Sequence, residues 1–467
     1  MASTDQPQRQ NGGAAGATRG LPDHVAQLRI CVLGAGMAGL TSALALAEAG
    51  FKNIEVYEFA SDLGFVGAGI QMAPNMARIL DRLGVWAPIA KEAVVLNETS
   101  IREGATNEEL GHVDLRYIKE AYGYEHMVGH RATLAGGIYD GCKRHSDAIK
   151  FNFGTQVEDV IVDGDKPSFK AVSRKDATSP PKEITCDILL GADGIKSVTR
   201  SAMLHFLKAD AEIVDTGQAA YRIMLTREQM SSDPELLELI ESDKVIRWIG
   251  EKRHIIAYPV SSKQIYNLST TQPDKNFAAA PTATYTTKGS KPAMLDVYSD
   301  YCTMIQRMLN LVPDGEVCEW KLRVHAPLPS WVVGTTALVG DACHPTLPHL
   351  AQGAAQAIED AAVLAVVLSR ISDTNADSIN KALKVYEKVR KERAESLVAL
   401  AAESGRNMHL GSGAAKEERD KQFAALRSGD GTSVPDRWAD AEVQRMIYGF
   451  DCVKVAEEVF EKEFGSI

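Results

Sequence analysis

Three glycines, Gly34, Gly36 and Gly39, stand between the apolar run 28–33 and the helix-favouring stretch "LTSALALAEAG". Their G-x-G-x-x-G spacing suits phosphate binding. Gly34 permits a tight turn, Gly36 lets the backbone approach a pyrophosphate, and Gly39 lets a helix pack close to the strand with its N-terminus facing the anion. Ala38 belongs to the same turn. A second apolar run, "IEVYE", ends at Glu58, nineteen positions after Gly39, where a carboxylate can accept hydrogen bonds from an adenosine ribose. The implied chemistry is dinucleotide binding, and the turn alone does not separate NAD from FAD.

Two later segments bear on that choice. In "CDILLGADGIKSVTR" (186–200) an apolar strand runs into Ala192-Asp193-Gly194 and a helix start bearing Ser197 and Arg200. In "TTALVGDACHPTLPHLAQGAAQAIEDAAVLAVVL" (335–368) a strand leads to Gly340-Asp341, a proline-punctuated loop and a long Ala-rich helix opened by Gly353, Ala354 and Ala355. The free amides of that helix start favour negative charge, as at the N1–C2=O edge of a reduced flavin. Three strand-end sites, each more than a hundred residues from the next, point to one ligand held by a discontinuous domain.

With these motifs in this order, residues from about 29 to about 400 resemble the FAD-dependent aromatic hydroxylases, single-component flavoprotein monooxygenases that include salicylate hydroxylase and hydroxybenzoate hydroxylases. The resemblance implies an α/β fold: a discontinuous Rossmann-like FAD-binding domain, a second, mostly antiparallel sheet for substrate, and C-terminal helices. It places Glu58 on the adenosine ribose, Asp341 on the ribityl chain, and Asp193 where FAD and reductant are both held. Arg131 of "VGHRATL" falls along the ribityl-phosphate side, and Gln156-Val157 near the adenine. The loop of "LGFVGAGIQ" covers the flavin; Gly67 and Gly69 either permit its motion or are turn glycines. Pro348 fixes the following loop against the flavin and keeps water out. The family commonly has Gly where this chain has Ala351, so different backbone angles are expected there. His344 and His349 fit a rigid, half-buried loop, and without a third ligand no metal is expected.

Short β-branched and aromatic runs between 211 and 325 ("AAYRIML", "DKVIRWIG", "HIIAYPV", "QIYNLSTT") predict the strands that floor a substrate pocket. By position in strands matching the family's pocket-lining ones, Arg222 and Tyr258 are the candidate catalytic residues, with Pro348. Arg222 either pairs a substrate carboxylate or phenolate or forms a salt bridge between domains. Tyr258 either donates a hydrogen bond to a ring oxygen or is core. Trp248 and Tyr221 are apolar walls or ordinary core, and His254, beside Arg253 at a turn, is an acid/base group or exposed surface.

The cofactor implied is non-covalent FAD, with NADH or NADPH as transient reductant, since no second G-x-G-x-x-G unit follows. O2 reacting at flavin C4a would then supply one oxygen to an aromatic ring. The first-choice reaction is salicylate-type decarboxylative hydroxylation to a catechol. Alternatives are hydroxylation of another hydroxybenzoate or a larger phenolic metabolite, dearomatisation, a flavin oxidase or dehydrogenase, and a non-catalytic flavin-binding regulator.

The expected layout is a disordered tail at 1–26, an FAD-binding domain from 27–105, 136–205 and 326–400, a substrate domain from 106–135 and 206–325, and a helical segment at 401–467. A net charge of −11, with no basic cluster, argues against nucleic acid. The densest basic run, "EKVRKERAES", reads as a solvated helix face. Seven scattered cysteines suit reduced thiols. Nothing resembles a signal sequence or a membrane span, so a cytoplasmic monomer or homodimer is expected.

Overall fold

The computed structural model describes residues 21–64, 68–176, 178–275, 286–428, 435 and 440–465. Gly67, assigned to the flavin loop, lies outside the described residues, as does the tail over 1–20.

The run 28–33 is apolar because its strand is buried on both faces: all four residues of Ile30–Leu33 are inaccessible. It lies inside a six-stranded sheet ordered Val332–Val333, Thr336–Leu338, Ile188–Gly191, Ile30–Leu33, Ile54–Glu58 and Ile149–Phe153. All neighbours are parallel except the first two, which form a short hairpin. Helix Met37–Glu48 crosses from the first strand to Ile54–Glu58, and helix Gly353–Leu368 packs against it. Both are rich in alanine, which permits close approach. In this arrangement the carboxyl ends of Ile30–Leu33, Ile188–Gly191 and Thr336–Leu338 are adjacent, and the three motifs meet at that end of the sheet.

An eight-stranded sheet follows the order Thr286–Lys288, Cys318–His325, Ile213–Thr226, Ile265–Pro273, Arg253–Val260, Lys244–Gly250, Glu98–Glu103 and Glu109–Asp114. It is antiparallel except where Lys244–Gly250 meets Glu98–Glu103. Helices Pro234–Glu241, Lys291–Val297 and Thr303–Asn310 help bury one face, forming a second apolar core that includes Trp248 and Tyr221. The opposite face looks toward the nucleotide-binding edge. Two further sheets are small: the hairpin of Thr155–Ile161 and Ser168–Ser173, extended by Lys182–Thr185, and Gly69–Met72 with Met127–His130 and Val94–Val95.

Several boundaries differ from the sequence expectation. Strand Glu98–Glu103, placed with the nucleotide domain, belongs to the second sheet, and the division at 105/106 cuts the hairpin it makes with Glu109–Asp114. Its partner Lys244–Gly250 is remote in sequence, so local composition carried no sign of the pairing. Residues 21–26, grouped with the tail, form the helical turn Asp23–Ala26 and bury Val25 and Ala26. Helix Arg131–Arg144, capped by the His130 ring, spans the division placed at 135/136. Helix Ala376–Met408 runs through the division at 400/401, and Cys452–Phe464 packs on it and on Gly353–Leu368. Among the described residues no helix is long and apolar enough to cross a membrane.

Candidate active site

A cleft of about 400 Å³ opens where the two large sheets face one another. Gly36 and Ala38 from the glycine turn line it, with Ala192 and Gly194 from the second motif. Asp341, Pro348, Gly353 and Ala354 come from the third, Gly69 and Arg131 from the side. Its floor is the second sheet: Arg222 on one strand, Ser269 and Asn267 on the next, Ile256 and Tyr258 on the third.

The three turn glycines differ in what surrounds them. Gly34 has φ +99°, and a Cβ there would lie 2.5 Å from the Ala192 carbonyl oxygen, so the turn is pressed against the second motif. A Cβ on Gly39 would lie 1.9 Å from the Gly34 carbonyl oxygen, which makes glycine obligatory for that helix-to-turn approach. A Cβ on Gly36 would meet nothing within 4 Å. Its bare backbone faces the cleft at the N-terminus of Met37–Glu48, an arrangement that suits a pyrophosphate. Gly340, at φ +64°, turns the chain toward Asp341.

Glu58 does not line the cleft. Its carboxylate accepts the Ala35 and Ala60 N–H groups at 2.7 and 2.8 Å and ties the second strand to the glycine turn. Asp193 is likewise turned away: it accepts the Ser197 hydroxyl at 2.6 Å and the Thr199 N–H and hydroxyl at 3.1 and 3.0 Å. The cleft at that motif is faced by Ala192 and Gly194. Val157 is half-buried against the cluster containing Tyr57 and Phe169 and does not line the cleft. Tyr221 and Trp248 are not walls: strand alternation sends both into the second core, where the Trp248 indole donates to the Asn107 side chain at 2.8 Å.

Arg222 lies with its guanidinium 4.7 Å from the Trp320 ring and has no carboxylate partner among the described residues. The domain-interface salt bridge is therefore absent there. Burial, and then Arg131, lower its pKa to about 10, with Tyr258 opposing. Tyr258 is buried, and burial raises its hydroxyl well above the ordinary phenol value despite Arg222. A guanidinium with no carboxylate partner among the described residues, beside a protonated phenol, can receive an anion. A depression of about 620 Å³ around Asp233 and Arg307 offers no such group, because Arg307 pairs with Asp233 at 2.7 Å and Glu235 at 2.5 Å.

Behind the third motif lies a buried ionic lattice. Arg390 donates to Asp360 at 2.8 Å and Glu359 at 2.5 Å, and Arg393 donates to Glu359 at 2.8 Å. Asp360 accepts the Gly340 N–H at 3.0 Å and lies 2.6 Å from the His344 ring, while Asn75 bridges Glu359 and Gln352 at 2.7 and 3.0 Å. The lattice therefore sets the Gly340 turn and the start of Gly353–Leu368. It corrects the reading of "EKVRKERAES" as a solvated face, since Arg390 is fully buried. Burial pushes Asp360 up, but His344 and Arg390 prevail and hold it near about 2. Cys343, His344 and Asp360 could group around a metal ion, yet both Asp360 oxygens are already engaged.

His254 is also corrected: it is buried rather than at the surface, 2.6 Å from the His409 ring and edge-on to His349. Burial lowers all three, His349 to about 3 and His409 to about 4, with neighbouring basic groups adding to it. Their folded-state pKa values lie below the unfolded value of about 6.5, so the stability of the neutral cluster is complete above pH 6.5. It is lost as pH falls toward 4, where the unfolded chain binds protons the folded one refuses. Melting temperature is expected to be flat from pH 8 to 7 and to drop steadily from about 6.5 to 4.5.

Ala351 adopts φ +53°, ψ +31°. The alanine thus does not move this residue into the right-handed region; it holds a left-handed conformation that favours glycine. Ala351→Gly is expected to stabilise the protein by about 1 kcal/mol, read as a higher melting temperature.

A glycine turn, a Gly-Asp turn backed by a helix start, and a cleft floored by a second sheet define a flavin-dependent hydroxylase architecture. Comparison with known proteins agrees. The FAD binding domain family matches residues 27–401. FAD-dependent monooxygenase ntnJ of Nectria sp is 30% identical over 432 residues, covering 92% of this chain and 96% of that one. 3-Hydroxybenzoate 6-hydroxylase 1 of Aquipseudomonas alcaligenes is 32% identical over 372 residues, 77% and 84% of the two chains. A solved structure described as a salicylate hydroxylase substrate complex superposes with a TM-score of 0.74 at 23% identity, covering 93% of this chain and 98% of that one. The chain belongs to the FAD-binding family of aromatic-ring monooxygenases.

Proposed function

We propose that this FAD-dependent monooxygenase hydroxylates a single-ring phenolic acid, and that Arg222 holds the substrate's anionic group. The unpaired guanidinium on the cleft floor is the observation that carries this reading. The cleft volume, about 400 Å³, lies at the low end for ligand cavities and must also admit the flavin ring, which favours one small aromatic ring.

The open Gly36 backbone and the corner lined by all three motifs fit FAD. In this reading the 34–39 turn and the start of Met37–Glu48 would hold the pyrophosphate, and Glu58, half-exposed just outside the cleft, would use the lone pairs left free by Ala35 and Ala60 to accept from the ribose. Asp341 and Arg131 flank the ribityl side, the amides at Gly353 and Ala354 meet the ring edge, and Pro348 closes the loop over it. Bound there, FAD supplies hydride acceptance from NADH or NADPH and the oxygen chemistry of ring hydroxylation. Arg222 orients the anion and favours ionised substrate. Tyr258, kept protonated, donates a hydrogen bond to a ring oxygen.

The test is NADH and NADPH consumption by the purified protein with salicylate, 2-, 3- and 4-substituted phenols, and 3- and 4-hydroxybenzoate, recording product mass and carbon dioxide. Stimulation by phenolic acids but not by neutral phenols supports the reading, and catechol with carbon dioxide from salicylate identifies the decarboxylative reaction. Equal stimulation by neutral phenols removes the Arg222 assignment, and substrate oxidation without reductant supports an oxidase. Asp341→Ala is expected to purify colourless; a variant with full flavin content would remove Asp341 from the cofactor site.

A further inference from the structure

Asn267 lies on the cleft floor directly across from Tyr258, and nothing in its local sequence singled it out. It is 2% exposed. Its side-chain oxygen accepts the Gly69 N–H at 2.7 Å, a bond between residues 198 positions apart. The Gly69 N–H needs an acceptor, which fixes the amide with its oxygen toward Gly69, and its Nδ2 is then buried with no partner among the described residues. A half-satisfied buried amide is costly, and such groups call for a reason beyond packing.

The reason lies in what Gly69 belongs to. Strand Gly69–Met72 pairs with Met127–His130, Gly69 lies opposite His130, and the next residue, Arg131, donates its N–H to the Ala68 carbonyl at 2.8 Å. Ala68, Gly69 and Arg131 all line the cleft as a wall that rises beside the floor. A Cβ on Gly69 would lie 2.5 Å from Asn267 Cγ and 2.7 Å from the Tyr258 ring, so this wall is pressed directly onto the floor. The Asn267–Gly69 bond is the polar link across that contact.

We propose that Asn267 is a positioning residue that clasps the flavin-side wall to the substrate sheet and so keeps water out while oxygen is transferred. This rests on the hydroxylase reading above. In the coupled reaction NAD(P)H, H⁺, O2 and the aromatic substrate give NAD(P)⁺, hydroxylated product and water. When the clasp fails, NAD(P)H, H⁺ and O2 give NAD(P)⁺ and hydrogen peroxide, the substrate leaving unchanged.

Asn267→Ala removes the acceptor for Gly69, whereas Asn267→Asp keeps it and replaces only the unpartnered NH2. Amide hydrogen exchange of the peptide containing Gly69 is expected to speed up about tenfold in Asn267→Ala and to stay near wild type in Asn267→Asp. With whichever aromatic substrate the wild type hydroxylates, the ratio of product to NAD(P)H consumed should fall roughly threefold in Asn267→Ala, hydrogen peroxide making up the difference, and recover in Asn267→Asp. Unchanged exchange in Asn267→Ala overturns the clasp, as does an Asp variant that exchanges and uncouples as much as the Ala variant. Should Asn267→Ala not fold, Gly69→Ala breaks the same contact from the other side, and a folded Gly69→Ala with wild-type exchange and coupling also overturns it. A wild type that hydroxylates none of the phenolic acids sinks the substrate reading instead, and the exchange measurement still decides the clasp.

Discussion

Arg222→Met is expected to give a yellow, folded protein that has lost nearly all substrate-stimulated NAD(P)H oxidation. Among the described residues the side chain has no carboxylate partner to strand when it is removed, so folding should tolerate the change. What disappears is a charge-assisted contact to the ligand in a site largely shielded from water. Truncating one member of such a pair costs about 2–5 kcal/mol, a loss of roughly thirty-fold to a few thousand-fold in kcat/KM. Arg222→Lys should recover only part, because an ammonium keeps the charge without the planar fork that engages two oxygens. Steady-state kinetics with the best phenolic acid, beside the flavin spectrum, check both variants. Normal kinetics in Arg222→Met would place the substrate anion elsewhere.

Arg390→Met should act on the opposite side of the cleft, through stability. Arg390 lines no part of the cleft, yet its removal leaves Glu359 and Asp360 buried without the guanidinium they share. Breaking a buried pair in this way costs about 3–5 kcal/mol, or roughly 3–5 °C in melting temperature for a chain of this length. The loss should extend to flavin retention, since Asp360 also holds the Gly340 N–H and with it the turn that presents Asp341. Neutralising the partners as well, in Arg390→Met with Glu359→Gln and Asp360→Asn, should restore part of the melting temperature because no carboxylate is then stranded. Thermal unfolding with intrinsic flavin fluorescence separates the two effects.

The parts of the site legible in sequence are those whose chemistry is local. Gly34, Gly36 and Gly39 betray themselves because a turn, an open approach and a helix-to-turn contact each demand glycine within six residues. Gly340-Asp341 and the helix start at Gly353 are readable for the same reason. The lattice of Arg390, Asp360, Glu359 and Asn75 is not, since Asn75 meets Glu359 across 284 positions and a buried arginine in a helix full of Lys and Glu looks like any solvated one. Strand periodicity located the second sheet, but which face of a strand turns to the cleft depends on its partners. That is why Trp248 and Tyr221 were candidates for the wall and Asn267 was not. His254 looked exposed because it begins a strand after a turn, and the rings that pack on it, His349 and His409, come from distant segments.

The most direct test of the account is to run the reaction under ¹⁸O2 with the phenolic acid that most stimulates NAD(P)H oxidation, and to weigh the product. One ¹⁸O atom in the ring hydroxyl, with one NAD(P)H consumed per product, is the predicted result. A product carrying oxygen from water, or reductant consumed solely to hydrogen peroxide with every phenolic acid tried, would contradict it.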